Sequence, residues 1–160
     1  MIMAREQPGE APKIRVFLVD DEPVVRRGLR LLMELEANLT VCGEAASEAA
    51  ALEGIAKLRP HLAVVDMSLE EGDGLSLIKQ LRMLCPALKI LVFSMHDQVD
   101  IANAAFIAGA HGYVVKEEGT EKVVEAIQTI MGGGYYLSER IVAKAPDLLP
   151  RLRRPGRPRF

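Results

Sequence analysis

Five short apolar runs recur at nearly even spacing, and this regularity restricts the fold more than any other feature of the chain. Each run predicts a buried strand; they are Ile14–Val19, Leu39–Gly43, Leu62–Val65, Leu88–Phe93 and Gly112–Val115. The segments between them have helical periodicity, with Pro23 early in the first and three glycines at 132–134 ending the last. Strands that are apolar on both faces and alternate with helices indicate a doubly wound α/β domain with a five-stranded parallel sheet.

The two ends of the chain depart from this alternation. Residues 1–12 predict a flexible leader, and the globular domain is predicted over 13–132. Residues 133–160 predict a linker and basic tail, because 146–160 hold four of the nine prolines and no apolar periodicity. The net charge of −2 conceals an asymmetry, since residues 145–160 carry +4 and the body therefore carries −6.

Composition and charge exclude several classes of protein. The charges are too balanced for a chain that coats nucleic acid, and no apolar run approaches the roughly 18 residues of a membrane span. The start, Met1 to Lys13, lacks the apolar centre of a signal peptide. Cys42 and Cys85 have neither metal-binding nor redox spacing. We therefore expect a cytoplasmic protein with no disulfide and no membrane partner.

Polar residues follow four of the five runs at the end where open α/β sheets bind ligands. Asp20, Asp21 and Glu22 follow the first run, Asp66 the third, Ser94 the fourth and Lys116 the fifth. With the strand order 2-1-3-4-5, the first and third strands are neighbours at the point where the winding reverses. The three aspartates would then share one pocket.

This set of residue types is suited to phosphoryl transfer. Clustered carboxylates repel one another unless a proton or cation intervenes, and hard oxygen ligands with room for water favour Mg²⁺. Lys116 would supply a point charge for a phosphoryl group, and Ser94 a hydrogen-bond donor. A carboxylate can itself be the nucleophile and form an aspartyl phosphate. Asp66, after the central third strand, is the predicted nucleophile.

These residues resemble the receiver domain of two-component response regulators over about 14–132. The resemblance is carried by Val19-Asp20-Asp21-Glu22-Pro23, by Val64-Val65-Asp66-Met67-Ser68-Leu69 with Asp73-Gly74 behind it, by Val92-Phe93-Ser94-Met95, and by Gly109-Ala110-His111-Gly112-Tyr113-Val114-Val115-Lys116. The resemblance implies a flavodoxin-like, CheY-like (βα)5 fold. It also implies a signalling switch that catalyses at most its own phosphorylation and dephosphorylation, and so not an enzyme in the usual sense.

The resemblance also implies a role for each matching residue. Asp66 would accept a phosphoryl group from a histidine kinase. Asp21 and Asp66 would ligate Mg²⁺ together with the backbone carbonyl of Ser68, and Asp20 would bind the ion through water. This set makes Mg²⁺ the expected cofactor.

A second group of residues would relay the signal. Ser94 and Lys116 would contact the phosphate, and Ser94 would turn toward it while Tyr113 swings inward. Such a switch would change the face made by the fourth helix, fifth strand and fifth helix, through which a homodimer is expected. Simple packing at a strand edge is the alternative interpretation of Tyr113.

Departures from the family pattern indicate one branch of the family. Glu70 stands where a proline is usual, and Glu117 follows the lysine. Glu117, together with the stretch from Gly133 to Ser138, resembles the nitrate-regulator (NarL/FixJ, LuxR-type) branch, whose members normally continue into a helix-turn-helix domain that binds DNA. The residues after Ser138 are too few for such an output domain. The chain would be a stand-alone receiver, a truncated chain or the product of a gene that lost its output domain.

The ending gives only a faint further signal. Residues 153–159 resemble an AT-hook, although a solvated linker that once led into a DNA-binding domain is the favoured interpretation. DNA would then be contacted only through the missing output domain. The expected role of a longer parent protein is to regulate transcription.

Three other functions compete with the receiver. A haloacid-dehalogenase-like phosphatase also uses an aspartyl nucleophile, but Ser68 stands where its general acid would be. Ser68 and His96 instead occupy places that tune autodephosphorylation in receivers. A flavodoxin-like binding module needs a hydroxyl- or glycine-rich loop after the first strand, where this chain has acids. A pseudo-receiver acting by protein contact alone stays open.

Overall fold

A six-stranded parallel sheet lies at the centre of the computed structural model, which describes residues 12–154. The strands are β1 (Ile14–Val19), β2 (Leu39–Ala45), β3 (Leu62–Val65), β4 (Lys89–Ser94), β5 (Gly112–Val115) and β6 (Tyr136–Leu137). Their order is β2-β1-β3-β4-β5-β6, and every neighbouring pair is parallel. The doubly wound class and the order 2-1-3-4-5 are confirmed. The predicted number of strands is wrong by one, because β6 extends the sheet beyond β5.

Helices cover both faces of this sheet, as its apolar strands require. They are α1 (Pro23–Glu34), α2 (Glu48–Leu58), α3 (Gly74–Leu84), α4 (Val99–Ala108) and α5 (Glu121–Met131). Helices α2, α3 and α4 pack on one face, whereas α1 and α5 pack on the other. Side chains of β1 alternate between the two cores, with Phe17 on the α2 side and Leu18 on the α1 side.

The residues before the helices explain where several of them begin. The Ser47 hydroxyl accepts a hydrogen bond from Ala50 N at 3.2 Å and caps α2. The Asp73 carboxylate does the same for α3, accepting from Leu75 N at 3.0 Å. Pro23 occupies the first turn of α1, where a missing N–H costs nothing. Helix α1 therefore begins three residues after Asp20, and the cap of α3, Asp73, stands seven residues after Asp66.

The stretch predicted to be a linker is folded. Residues 136–152 form β6 and two short helices, α6 (Glu139–Lys144) and α7 (Leu148–Leu152). The physical reason is burial, because four leucine and isoleucine side chains of this stretch lie in the same core as α4; they are Leu137, Ile141, Leu148 and Leu152. Pro150 falls in the first turn of α7, where a proline is compatible with a helix.

Parts of the predicted ends lie outside the described residues. Of the expected leader, residues 1–12, only Pro12 lies within the described range. Of the AT-hook-like ending, residues 153–159, only Arg153 and Arg154 do. Within the described range, no helix is long and apolar enough to cross a membrane. Cys42 and Cys85 are both free thiols.

Candidate functional site

The strand ends that the sequence singles out converge on one pocket. Its volume is about 350 Å³, and it is lined by Asp21, Glu22, Asp66, Ser68, Leu69, Glu70, Met95 and Lys116. The lining comes from the residues after β1, β3, β4 and β5, as expected for the carboxyl edge of an open parallel sheet. The pocket therefore lies where the winding of the sheet reverses.

Four carboxylates meet in this pocket. Asp20, Asp21, Glu22 and Asp66 each place an oxygen within 4.8 Å of the others. Asp20 is only 3% exposed and Asp66 only 5% exposed, so two of these acids are shielded from water. The three predicted aspartates are thus brought together. Glu22, which follows the first strand and was not among the predicted metal ligands, is an additional member of the cluster.

Lys116 is the cation that this cluster holds. Its Nζ lies 2.8 Å from Asp20 Oδ2, 2.9 Å from Asp66 Oδ2 and 3.2 Å from Glu22 Oε1. Burial opposes the charge on Lys116, but hydrogen bonds to Asp20 and Asp66 outweigh it and raise the pKa of the amine above its ordinary value. Burial also raises the pKa of Asp20, and the hydrogen bond from Lys116 offsets only part of that effect.

Backbone amides fix the orientation of the aspartates. Asp20 Oδ1 accepts a hydrogen bond from Glu22 N at 2.9 Å, and Asp66 Oδ1 accepts one from Ser68 N at 3.2 Å. Asp21 Oδ2 accepts from Glu70 N at 3.0 Å, which ties the loop after β3 to the loop after β1. Each carboxylate keeps a second oxygen for another partner, and in Asp20 and Asp66 that oxygen is bound to Lys116.

Gly74 allows α3 to begin against the backbone of the predicted nucleophile. A Cβ at position 74 would overlap the carbonyl oxygen of Asp66 and approach Met67 Cα to 2.6 Å. Both neighbours are backbone atoms, which cannot rotate away as a flexible side chain can. The Asp73-Gly74 pair therefore sets the distance between α3 and the end of β3.

The two predicted switch residues are connected through the backbone of His96. Ser94 is fully buried, and its Oγ accepts a hydrogen bond from His96 N at 3.2 Å. Tyr113, also fully buried, donates from its hydroxyl to His96 O at 2.9 Å. Burial raises the pKa of Tyr113 to about 12. Tyr113 thus lies inward, in contact with the same loop that follows Ser94.

Two contacts of the site were not predictable from the motifs alone. Ser68 Oγ and His96 Nε2 lie 2.8 Å apart and join the loops after β3 and β4 at the mouth of the pocket. Arg26 Nη1 donates to the Asp20 carbonyl at 2.6 Å, anchoring α1 to the end of β1. Arg26 stands six residues after Asp20, and no motif of the sequence marks the second contact.

Comparison with known proteins identifies the family. The model of the response regulator receiver domain family matches residues 16–128. The transcriptional regulatory protein MctR of Rhizobium johnstonii is 32% identical over 153 residues, which cover 90% of this chain and 72% of that protein. The DNA-binding transcriptional activator DevR/DosR of Mycobacterium tuberculosis is 37% identical over 130 residues, covering 81% of this chain and 60% of that protein.

A solved structure shows the same architecture. A LuxR-family two-component response regulator from Aurantimonas superposes with a TM-score of 0.81 at 34% identity, covering 84% of this chain and 96% of that one. The LuxR-type resemblance is thereby confirmed. The buried Asp66 at the end of β3, the acidic cluster and the sheet order agree with the family match. The chain belongs to the response regulator receiver domain family of two-component systems.

Proposed function

We propose that Asp66 is the phosphoacceptor of this receiver and that a histidine kinase is its phosphoryl donor. One observation carries the proposal: Asp66 is buried at the end of central strand β3, with one oxygen 2.9 Å from Lys116 Nζ. A carboxylate oxygen would attack the phosphorus of a phosphohistidine, the phosphorus–nitrogen bond would break, and the kinase imidazole would leave with a proton.

The acidic cluster fits a magnesium ion. Asp20, Asp21 and Asp66 offer carboxylate oxygens, and the carbonyl of Ser68 belongs to the same loop as Asp66. All of these donors are hard oxygens, and a single ammonium group faces four carboxylates in the cluster. When bound, Mg²⁺ supplies positive charge that makes the site attractive to a phosphoryl group.

Lys116 and Ser94 are suited to hold the phosphoryl group once it is attached. Lys116 already contacts Asp66, so a small movement would bring its ammonium group to a phosphoryl oxygen. The Ser94 hydroxyl accepts from the His96 amide and also interacts with the Tyr113 hydroxyl, so a phosphoryl group would compete with Tyr113 for the Ser94 proton. A phosphoryl group would thus bias the Ser94–His96–Tyr113 connection, and with it the face of α4, β5 and α5.

Homodimerisation through that face stays a prediction. In the structure, β6 pairs with the open edge of β5 and α6 packs beside α4. A second copy would therefore reach the whole face only after β6 and α6 move away.

Control of transcription belongs to the proposal for a longer protein. It is supported by two curated relatives named as transcriptional regulators, of which this chain covers 72% and 60%. The cytoplasmic location and the exclusion of other enzymatic activity also stay predictions.

The decisive experiment is intact-mass analysis after incubation with acetyl phosphate, with and without Mg²⁺. A single phosphoryl adduct that requires Mg²⁺, disappears in Asp66→Asn and persists in Asp100→Asn would support the proposal. Asp100 is a suitable control because it is exposed on α4. An adduct that survives in Asp66→Asn would overturn the assignment. No adduct, together with no response to beryllofluoride, would identify a pseudo-receiver.

A further inference from the structure

The last described residues of the chain form a segment that packs into the core of the receiver. We call residues 135–152, which include β6, α6 and α7, the C-terminal segment. Its four buried apolar side chains are at most 6% exposed and share a core with Tyr113 and with Ala102, Ala105 and Phe106 of α4. Apolar burial of this extent makes the segment part of the receiver body rather than a tether.

The segment is bonded directly to the strand that carries the predicted switch residue. Tyr113 is in register with Leu137, and Ser138 N donates to Tyr113 O at 2.9 Å. The Ser138 hydroxyl, which is fully buried, accepts from Val115 N at 2.9 Å. Val115 immediately precedes Lys116. The end of β5 is thus held by Ser138 on one side and by the acidic cluster on the other.

Two ion pairs connect the segment to the loops that follow Ser94 and Lys116. Lys144 Nζ lies 3.3 Å from Asp97 Oδ2 and donates to Asp97 O at 3.1 Å. Arg140 Nη1 lies 2.6 Å from Glu117 Oε2, and Arg140 N donates to Glu118 Oε1 at 3.0 Å. Both pairs are about half exposed and contribute little binding energy by themselves. Their position makes them sensitive to movement of either loop.

The loop that contains Asp97 is in turn connected to the phosphoacceptor site. His96 donates its N–H to Ser94 Oγ and accepts the Tyr113 hydroxyl at its carbonyl. A phosphoryl group on Asp66 would draw Ser94 Oγ and Lys116 Nζ toward itself, so His96 N would lose a well-placed acceptor. Because closely packed elements have discrete arrangements, a shift of these loops would move Asp97 and Glu117 relative to the segment.

We propose that the unphosphorylated receiver holds the C-terminal segment in place and that phosphorylation of Asp66 loosens it, uncovering the β5 edge and the adjoining surface of α4. This inference rests on the proposed function of Asp66. Coupling of this kind is reciprocal, so a loosened segment also favours the phosphorylated state. The packing of the C-terminal segment on β5 and α4 would then depend on whether Asp66 is phosphorylated.

Hydrogen–deuterium exchange of the full chain tests the proposal. Exchange is compared in Mg²⁺ alone and in Mg²⁺ with beryllofluoride, which imitates a phosphoryl group on aspartate. Amides of residues 135–152 should exchange several-fold faster with beryllofluoride, while peptides around Asp66 become protected. Protection around Asp66 with unchanged or slower exchange in the segment would overturn this inference alone. No protection around Asp66 would overturn the proposed function and this inference with it.

A pair of double variants separates coupling from simple packing. Arg140→Ala with Lys144→Ala removes both ion pairs of the segment, whereas Lys57→Ala with Lys79→Ala removes two exposed positive charges from α2 and α3. The first variant should show faster exchange in the segment without beryllofluoride and a several-fold tighter affinity for beryllofluoride in Mg²⁺. The second should show neither change. Faster exchange with an unchanged beryllofluoride affinity would contradict the coupling.

Discussion

Lys116 Nζ lies 2.9 Å from Asp66 Oδ2, so the proposed phosphoacceptor is already paired with the cation proposed to hold its phosphoryl group. The two side chains are 8% and 6% exposed, which means that water screens this pair only weakly. A second contact of Lys116, 2.8 Å to Asp20, extends the pairing to the loop after β1. The ammonium group thus partly neutralises the carboxylates that are expected to bind Mg²⁺.

The first prediction concerns this competition between lysine and metal. Replacing Lys116 with methionine keeps the aliphatic length but removes the charge, so Mg²⁺ should bind about ten-fold more tightly, as expected for roughly 1.4 kcal/mol of relieved repulsion. A Mg²⁺ titration followed by tyrosine fluorescence measures the dissociation constant. Lys57→Met, on the exposed face of α2, should leave it unchanged. Weaker Mg²⁺ binding in Lys116→Met would show that the lysine organises the ligands rather than competing with the ion.

The second prediction concerns the close approach of α3 to Asp66. Gly74→Ala should lower the free energy of unfolding by about 2 kcal/mol, because its Cβ would overlap backbone atoms of Asp66 and Met67. It should also reduce phosphorylation, since the strain falls on the loop that orients Asp66. Gly28→Ala is the matched control, because Gly28 lies on the exposed face of α1 and a Cβ there meets nothing within 4 Å. In urea unfolding, the free energy of unfolding of Gly28→Ala should rise by up to about 1 kcal/mol. Equal stabilities for the two variants would refute the packing argument.

The third prediction concerns the hydrogen bond between Ser68 and His96. This 2.8 Å contact joins the two loops at the mouth of the pocket, so breaking it should admit water more freely to a phosphoryl group on Asp66. Ser68→Ala and His96→Ala should each shorten the half-life of the phosphorylated protein by about five-fold, corresponding to roughly 1 kcal/mol for one hydrogen bond.

The decay is followed by intact mass after removal of acetyl phosphate, and the double variant completes the test. If the two side chains act through their mutual contact, Ser68→Ala with His96→Ala should decay no faster than either single variant. Additive effects would mean that the residues act separately. Unchanged half-lives in both single variants would remove the hypothesis that these positions tune dephosphorylation.

The sequence predicted the strand ends well because apolar runs of parallel strands are continuous and the next polar residue marks the carboxyl edge. The meeting of Asp20, Asp66 and Lys116 could therefore be predicted from the order of residues alone. Ser94, by contrast, is the last residue of β4, is fully buried and is not among the residues that line the pocket. The sequence did not predict β6, α6 and α7, which contain only two, six and five residues and carry too little periodicity to detect. Their formation depends on burial against α4 and pairing with β5, which are contacts between distant parts of the chain.

Individual side-chain contacts were beyond sequence reasoning for a related reason. The placement of Lys116 among Asp20, Glu22 and Asp66 depends on the orientation of side chains from three separate strand ends. Residue types predict that opposite charges will meet at this edge, but they do not predict which oxygen is bound. The same holds for the Ser68–His96 contact, whose two positions were recognised while their hydrogen bond was not.

The last prediction concerns pH and the carboxylate of Glu44, which lies away from the phosphoacceptor site on β2. Arg30 Nη2 lies 2.9 Å and Arg26 Nε 3.3 Å from its oxygens, and the hydrogen bond from Arg30 is the main cause of a lowered pKa. The resulting stability is present above the ordinary carboxyl value of 4.5 and is lost as the pH falls through the lower folded value. Glu44→Gln should therefore lower the free energy of unfolding in urea by about 0.5 kcal/mol at pH 7, the size typical of an exposed pair. The loss should become progressively smaller as the pH falls below the ordinary carboxyl pKa of 4.5.

The control is Glu53→Gln, at an exposed position on α2, which should leave the free energy of unfolding unchanged both at pH 7 and below pH 4.5. A cost for Glu44→Gln that stays constant or grows on acidification would show that the side chain stabilises β2 by packing rather than by charge.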